Sequence, residues 1–216
     1  MVGRVVTIPA PPEPFNPLAH AVSAETLLHR VHSTGRSVLD FNASSRSRTR
    51  FAPVVDRAGG IVPTLYCAAT AESAVCESIL HDVPLDGGNV PLANYETRKE
   101  STFIASRTLT LAAFLGDGLR KLNVTPQELT ATDADVYDDT VEWSIAAYNH
   151  EAKYDGIAWM SARRNTDAAY MLFGDRVAQT EIVETADGIG PFAQHHPGFD
   201  WLSAYCARLD IELLSR

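Results

Sequence analysis

The sequence has few of the features that mark secreted, membrane-spanning or disulfide-linked proteins. Its 216 residues include only three cysteines, and no two of them form a CxxC pair. Three cysteines cannot all pair within one chain, so we expect a reducing, cytoplasmic compartment. Prolines interrupt the apolar patch at the N-terminus, and no other window is apolar for long enough to cross a bilayer. We therefore expect neither a signal peptide nor a membrane partner.

Basic residues and common catalytic motifs are also scarce. Aspartate and glutamate (27) outnumber lysine and arginine (18), which gives a net charge of −9 and argues against direct nucleic-acid binding. GxGxxG after a strand, GxxxxGK[ST], HExxH and GxSxG are all absent. The acidic run over 133–139 lacks the glycine that a calcium loop requires. We expect no metal site and no prosthetic group.

The residues that are present indicate one α+β domain. Hydrophobic residues at 45% and charged residues at 21% are typical of a globular protein of this length, and an oligomer is compatible with them. The pattern predicts a Pro-rich arm over 1–22 and a domain over 23–216. Short strands and helices follow one another without a steady βαβ repeat, which indicates mixed central sheets flanked by helices.

Local patterns predict the individual elements. Ser23 caps a predicted helix over 24–32, and a strand over 61–69 leads into a helix capped by Thr70. Further strands are predicted within 103–115 and over 155–161, 168–174 and 180–185, a capping box over 125–128, and helices over 138–151 and 199–214.

One stretch gathers positive charge in this acidic chain. SRSRTRFAPV, residues 45–54, contains three arginines in six positions. Arg50 ends that run, and three later polar residues join it as candidates: Tyr66, Glu77 and Ser161. Each has an ordinary structural explanation when taken alone, as a solvated arginine, a packed tyrosine, a solvent-facing glutamate or a strand-end hydroxyl.

Read in order, these pieces resemble the RES domain, the toxin half of RES-Xre toxin-antitoxin pairs, which is named for an arginine, a glutamate and a serine. The matching segments are HRVH with Arg30, RFAP with Arg50, TLYCAAT with Tyr66, SAVCESILH with Glu77 and His81, a helix with Trp143, and YDGIAWMS with Ser161. The chain departs from the family around Arg50, where SRTR replaces the usual glycines and Phe51-Ala52 replaces the usual Trp-Asn.

The resemblance implies a fold similar to ADP-ribosyltransferases of the diphtheria-toxin type, with NAD bound in a cleft as substrate. It implies cleavage of the bond between nicotinamide and ribose, with inorganic phosphate as co-substrate, and a small Xre-type antitoxin that blocks the cleft. The implied roles are phosphate binding for Arg50 and Arg30, stacking for Tyr66, charge stabilisation at the ribose for Glu77, and ligand positioning for Ser161.

Three alternatives stay open at the level of sequence. The same cleft would serve an ADP-ribosyltransferase that modifies a protein target. The altered loop around Arg50 would suit a catalytically silent RES-like module that only binds a partner. In the third alternative, an unrelated α+β protein carries the motifs in this order by chance.

Overall fold

An eight-stranded mixed sheet organises the chain in the computed structural model, which describes residues 7–45, 48–84, 86–132 and 136–215. The strand order is β1-β8-β9-β10-β5-β2-β7-β11, and two further pairs, β3-β4 and β6-β12, lie outside the sheet. The strands are β1 (Ala19–Val22), β2 (Leu28–Ser33), β3 (Val54–Val55), β4 (Ile61–Val62), β5 (Thr64–Ala68), β6 (Gly88–Val90), β7 (Arg98–Ala105), β8 (Leu109–Phe114), β9 (Gly156–Met160), β10 (Ala168–Phe173), β11 (Ile182–Pro191) and β12 (Ile211–Leu213).

Five α-helices accompany the strands within the described ranges. They are α1 (Ala71–Cys76), α2 (Asp117–Lys121), α3 (Pro126–Leu129), α4 (Tyr137–Asn149) and α5 (Pro197–Ala207). The β8–β9 pair is parallel, whereas the other pairs of the large sheet are antiparallel. A parallel pair needs a crossover connection, and α2, α3 and α4 all lie in that connection. Among the described residues, no helix is long and apolar enough to span a membrane.

The sheet separates two hydrophobic cores. One cluster includes Phe114, Trp143, Trp159 and Phe173 and contains residues of α2, α3 and α4. A second cluster includes Leu28, Leu65, Phe103 and Leu172, and Val38 and Val177 from connecting segments join it. Neighbouring β5 residues divide between the two clusters, since Leu65 belongs to the second and Tyr66 packs against the first. This alternation is the period of two that side chains follow along a strand.

A third cluster ties α1 and the residues that follow it to the C-terminal part of the chain. Val75 and Cys76 of α1 pack with Tyr95, Phe192 and Leu202, and Leu202 belongs to α5. Cys76 Sγ and Tyr205 Oη lie 3.2 Å apart within this cluster. The short helix α1 is therefore supported by side chains that come more than 100 residues later.

Most of the predicted elements are confirmed. The strand before α1, the Thr70 cap, the strands within 103–115 and the capping box at Thr125 are present. The predicted helix over 138–151 and the predicted strands over 155–161, 168–174 and 180–185 are also present, although the last strand continues to Pro191. The mixed α+β class is confirmed, while the likeness to ADP-ribosyltransferases stays a prediction.

Two helix predictions fail. Residues 28–33 form β2, which pairs with β7 at six positions, so long-range pairing overrides the helical spacing of Leu27, Leu28 and Val31. The last helix ends at Ala207 instead of 214, because the chain turns at Asp210, whose φ is 54°, and then pairs β12 with β6.

The Pro-rich segment is bound to the domain over the part that the structure describes. Its last four residues, Ala19–Val22, form β1 at the edge of the sheet. Ile8 is buried, and Trp143 Nε1 donates to the carbonyl oxygen of Pro9 at 2.8 Å. Ile8 belongs to the first core and Phe15 packs against it, whereas Val22 belongs to the second core.

A buried histidine makes the stability of the fold depend on pH. His32 is 3% exposed and its Nε2 lies 3.1 Å from Ser101 Oγ. Burial, followed by the positive charges of Arg30 and Lys99, lowers the pKa of His32 to about 4. His32 is therefore protonated near pH 6.5 in the unfolded chain, but only near pH 4 in the folded chain. The stability that neutral His32 contributes is complete above pH 6.5 and is lost as the pH falls toward 4.

We expect the wild type to lose about 2 kcal/mol of unfolding free energy through this group between pH 7 and pH 5. His32→Gln removes the titrating ring, so its loss over the same interval should be smaller by that amount, whatever its stability at pH 7. Urea unfolding of both proteins at the two pH values measures the difference. Equal losses in the two proteins would contradict the assignment.

Candidate functional site

A cleft of about 240 Å³ opens on the face of the sheet that carries the first core. Its lining combines charged and aromatic side chains from the loop before β3, from β5, from the end of α1, and from the starts of β7 and α4. The lining residues are Arg48, Thr49, Arg50, Tyr66, Glu77, Ser78, His81, Arg98, Tyr137 and Trp159.

Glu77 occupies the floor of this cleft because α1 ends there. Thr70 Oγ1 caps the helix by accepting from Ser73 N at 3.2 Å, and the backbone N–H of Glu77 donates to Ser73 O at 2.9 Å. Glu77 itself is the C-cap residue, with φ −83° and ψ −2°. In a helix of only six residues, the cap at Thr70 also helps to fix the backbone position of Glu77.

Three donors from two separate parts of the chain hold the Glu77 carboxylate. Ser161 Oγ donates to Oε1 at 2.7 Å, while Trp159 Nε1 and Arg50 Nη1 donate to Oε2 at 3.1 and 3.3 Å. The Glu77 side chain is only 15% exposed and the Arg50 side chain 12%. Hydrogen bonds to a carboxylate are charge-assisted and stronger than neutral ones, so this arrangement fixes the orientation of the carboxylate.

Helix α4 holds the loop that presents Arg50. Thr140 Oγ1 donates to the carbonyl oxygen of Arg50, and Ser144 Oγ donates to that of Phe51 at 2.7 Å. Phe51 is fully buried and its ring centroid lies 5.1 Å from that of Trp159. The aromatic residue after Arg50 is thus an anchor in the first core, although it is not the usual tryptophan.

Aromatic rings form the wall beside Glu77. Tyr66 and Trp159 make an edge-to-face contact with ring centroids 5.9 Å apart. Tyr66 Oη lies 2.7 Å from Thr49 Oγ1, and burial raises the pKa of this phenol well above its ordinary value. Tyr66 is therefore a neutral ring with a fixed orientation, which suits stacking against a flat ligand group.

The structure brings four of the five predicted site residues together. Arg50, Glu77 and Ser161 are linked by direct hydrogen bonds, and Tyr66 lines the same cleft. Ser161 is fully buried beneath Glu77 and does not line the cleft. Its hydroxyl therefore positions the carboxylate, whereas the sequence suggested a contact with the ligand.

Arg30 lies elsewhere, which corrects its prediction as a second phosphate contact. It is in β2 opposite Ser101, on the same face of the strand as Leu28, which belongs to the second core. Its Nη1 donates to Val38 O at 2.6 Å, and burial lowers its pKa to about 10. The sequence analysis predicted a helix over 24–32, and a helical pattern does not show which face Arg30 occupies. The alternation of side chains along strand β2 places Arg30 on the face of the sheet opposite Tyr66.

Several cleft residues were not predicted from the sequence, and Trp159 and Arg98 are the two that matter most for the site. Trp159 is in β9, two positions before Ser161, which directly follows that strand, so continued strand alternation would have placed both side chains on one face. Arg98 begins β7 at a position with no local sequence signal, and only the three-dimensional order of the strands brings it to the cleft.

The arginine cluster of residues 45–54 is divided in the structure. Arg46 lies outside the described residues, Arg48 pairs with Asp138, and Arg50 pairs with Glu77. Among the described residues, no group of three or more His, Cys, Asp or Glu side chains is placed to hold a metal ion. The chemistry available in the cleft is that of a fixed carboxylate, guanidinium groups and aromatic rings.

Comparison with known proteins identifies what the chain is similar to. The RES domain family model matches residues 27–200. No curated protein matches the sequence. A chain in the crystal structure of the M. tuberculosis MbcT-MbcA toxin-antitoxin complex is similar in fold, with a TM-score of 0.56 and 12% identity over 88% of this chain and 91% of that chain.

The partly buried ion pair predicts a measurable coupling. Arg50→Met leaves Glu77 with one charged partner fewer and should lower the free energy of unfolding by about 1–3 kcal/mol. Glu77→Gln in the same background should cost less than it does alone, with a coupling energy on the order of 1 kcal/mol. Urea unfolding of the wild type, both single variants and the double variant gives this value.

Arg48→Met is the matched control. Its ion pair with Asp138 is exposed, with the two side chains 59% and 70% accessible, so we expect a loss below about 0.5 kcal/mol. Additive costs at Arg50 and Glu77 would show that their contact contributes nothing to stability.

Proposed function

The chain belongs to the RES domain family, and on that premise we propose that it is the toxin of a toxin-antitoxin pair that degrades NAD. The proposed reaction breaks the bond between nicotinamide and ribose. Inorganic phosphate is the proposed acceptor, so the products are nicotinamide and ADP-ribose phosphate.

The observation that carries this proposal is the orientation of the Glu77 carboxylate on the cleft floor. A carboxylate has about four acceptor positions. Arg50 and Trp159 use the two on Oε2, and Ser161 uses one on Oε1. Among the described residues, no donor uses the second position on Oε1, and we propose that it accepts a hydroxyl group of a bound sugar.

A fixed carboxylate is what this reaction requires. Cleavage of an N-glycosidic bond gives the ribose oxocarbenium character, as glycoside hydrolysis does. The electron pair of the breaking C–N bond passes to the cationic nicotinamide ring, which leaves as a neutral molecule without a general acid. A phosphate oxygen forms the new bond at the same carbon. Glu77 offsets the positive charge that develops on the ribose while the C–N bond breaks and before the bond to phosphate is complete.

The neighbouring residues supply orientation. Ser161 and Trp159 hold Glu77 in place, and the neutral ring of Tyr66 offers a surface on which nicotinamide or its ribose stacks. Arg50 lines the cleft and keeps its contact with Glu77. A ligand held in this way is already oriented for the reaction, so less entropy is lost in reaching the transition state.

The size of the cleft suits one end of a dinucleotide. Its volume of about 240 Å³ is below the ~300–1,000 Å³ of pockets that enclose a whole drug-sized ligand. We propose that the nicotinamide riboside end enters the cleft, while the pyrophosphate lies at the rim and the adenosine end outside.

An antitoxin is the proposed protein partner. The similar M. tuberculosis chain was solved in a toxin-antitoxin complex, and we propose an Xre-type antitoxin that covers the cleft of this chain. Adding the partner to the active protein should then abolish NAD cleavage. Undiminished cleavage in a stable complex would place the antitoxin contact elsewhere on the surface.

The proposed reaction is tested by incubating the purified protein with NAD, with and without inorganic phosphate. Chromatography follows nicotinamide and the ADP-ribose product. Nicotinamide release that requires phosphate supports phosphorolysis. Release without phosphate points to hydrolysis, or to transfer onto protein if ADP-ribose becomes protein-bound. Binding of NAD without release would favour a catalytically silent module.

Glu77→Gln keeps the size of the side chain but removes its charge, so we expect nicotinamide release to fall by about 100-fold or more. Glu72→Gln is the matched control, because Glu72 is on the same helix but outside the cleft. It should retain wild-type activity. Equal activity of the two variants would exclude Glu77 from the reaction.

A further inference from the structure

The lining of the cleft is positive although the chain is acidic. Three arginines and one histidine face a single glutamate there, whereas the whole chain carries a net charge of −9. Local positive charge in a concave site attracts and holds anions more strongly than the same charge on an open surface. The cleft is therefore matched to a ligand with an anionic group.

Apart from Arg98, the basic side chains of the lining already have partners. Arg50 contacts Glu77, and its Nη2 donates to Thr132 O at 3.3 Å. Arg48 contacts Asp138. His81 Nδ1 lies 2.7 Å from Ser78 O, and its Nε2 lies 2.9 Å from Asp82 Oδ2. To bind an anion fully, each of these side chains would have to give up part of an existing interaction.

Arg98 differs from the other three. In the part of the chain that the structure describes, its guanidinium has neither a hydrogen-bond nor an ion-pair partner, and the residue is exposed. All five of its N–H donors are thus available to a ligand in a planar arrangement that matches two phosphate oxygens.

The backbone of Arg98 is nevertheless well fixed. Its N–H donates to Tyr95 O at 2.9 Å, and its carbonyl oxygen accepts from Phe192 N at 3.0 Å. It pairs with Ser33 of β2, at the opposite end of that strand from Leu28. Strand β7 is two positions from β5 in the sheet, so Arg98 lies on the order of 10 Å to the side of the strand that carries Tyr66.

We propose that Arg98 is the anion-binding residue of the cleft and contacts a phosphate group of the ligand. Its lateral distance from the strand that carries Tyr66 suits the pyrophosphate of a dinucleotide whose nicotinamide end lies on the cleft floor. The same guanidinium would also suit an inorganic phosphate. The identity of the ligand rests on the proposed function, whereas the anion site rests on the charges and contacts of the cleft.

Binding is the measurement that tests this residue, with ADP-ribose and inorganic phosphate as separate probes. ADP-ribose keeps the pyrophosphate but has no nicotinamide bond to cleave. Calorimetric titration should show about tenfold weaker binding of one probe to Arg98→Gln than to the wild type, as expected for the loss of a charged hydrogen bond. Arg98→Lys should retain part of the affinity, since it keeps the charge but not the planar donor pair.

Arg36→Gln is the control for a general loss of positive charge, because Arg36 is exposed and does not line the cleft. Weaker ADP-ribose binding by Arg98→Gln alone assigns the pyrophosphate contact, and weaker phosphate binding alone assigns the co-substrate. The inference is overturned by equal affinities in wild type and Arg98→Gln, by an equal loss in Arg36→Gln, or by no binding of either probe to the wild type.

The outcome is independent of catalysis. Wild-type protein that binds a probe through Arg98 but releases no nicotinamide would refute the proposed reaction and keep the anion site. If the protein releases nicotinamide but its affinity for both probes does not depend on Arg98, the proposed reaction is supported and the anion site is refuted.

Discussion

The site depends on the hydrogen bonds that hold the partly buried carboxylate of Glu77. Glu77 accepts from Arg50, Trp159 and Ser161, which reach it from a loop and from the end of a central strand. Removing a carboxylate from water is unfavourable unless its oxygens are satisfied by other donors. The fold meets this requirement with three side-chain donors, and within the described residues it leaves one acceptor position on Oε1 without a protein donor.

The surrounding architecture can be understood from this requirement. The Thr70 cap and the third core fix the end of α1, and therefore the backbone of Glu77. The hydroxyl groups of α4 hold the loop of Arg50, and the parallel β8–β9 pair places α4 on the side of the sheet where that loop lies. The opposite face of the sheet contributes the second core and none of the cleft residues.

Sequence reasoning succeeded where the signal was local. The hydroxyl of Thr70, the Thr125–Glu128 capping box and the apolar run over 155–161 act within a few residues, so their patterns can be read directly. It failed at β2, because the strand is defined by its pairing with β7, about 70 residues away. That error also misplaced Arg30. Arg98 was out of reach for the same reason, since only the order of the strands brings it to the cleft.

The separation of the contributing segments along the chain has a consequence for synthesis. Trp159 and Ser161 lie 82 and 84 residues beyond Glu77, in and just after a strand that needs β8 and β10 as neighbours. A nascent chain that has exposed only its first half has the carboxylate but lacks two of its donors, and domains fold as units once their partner segments are available. Assembly of the site therefore waits until β10 has left the ribosome, and a product truncated before β9 lacks the ordered carboxylate altogether.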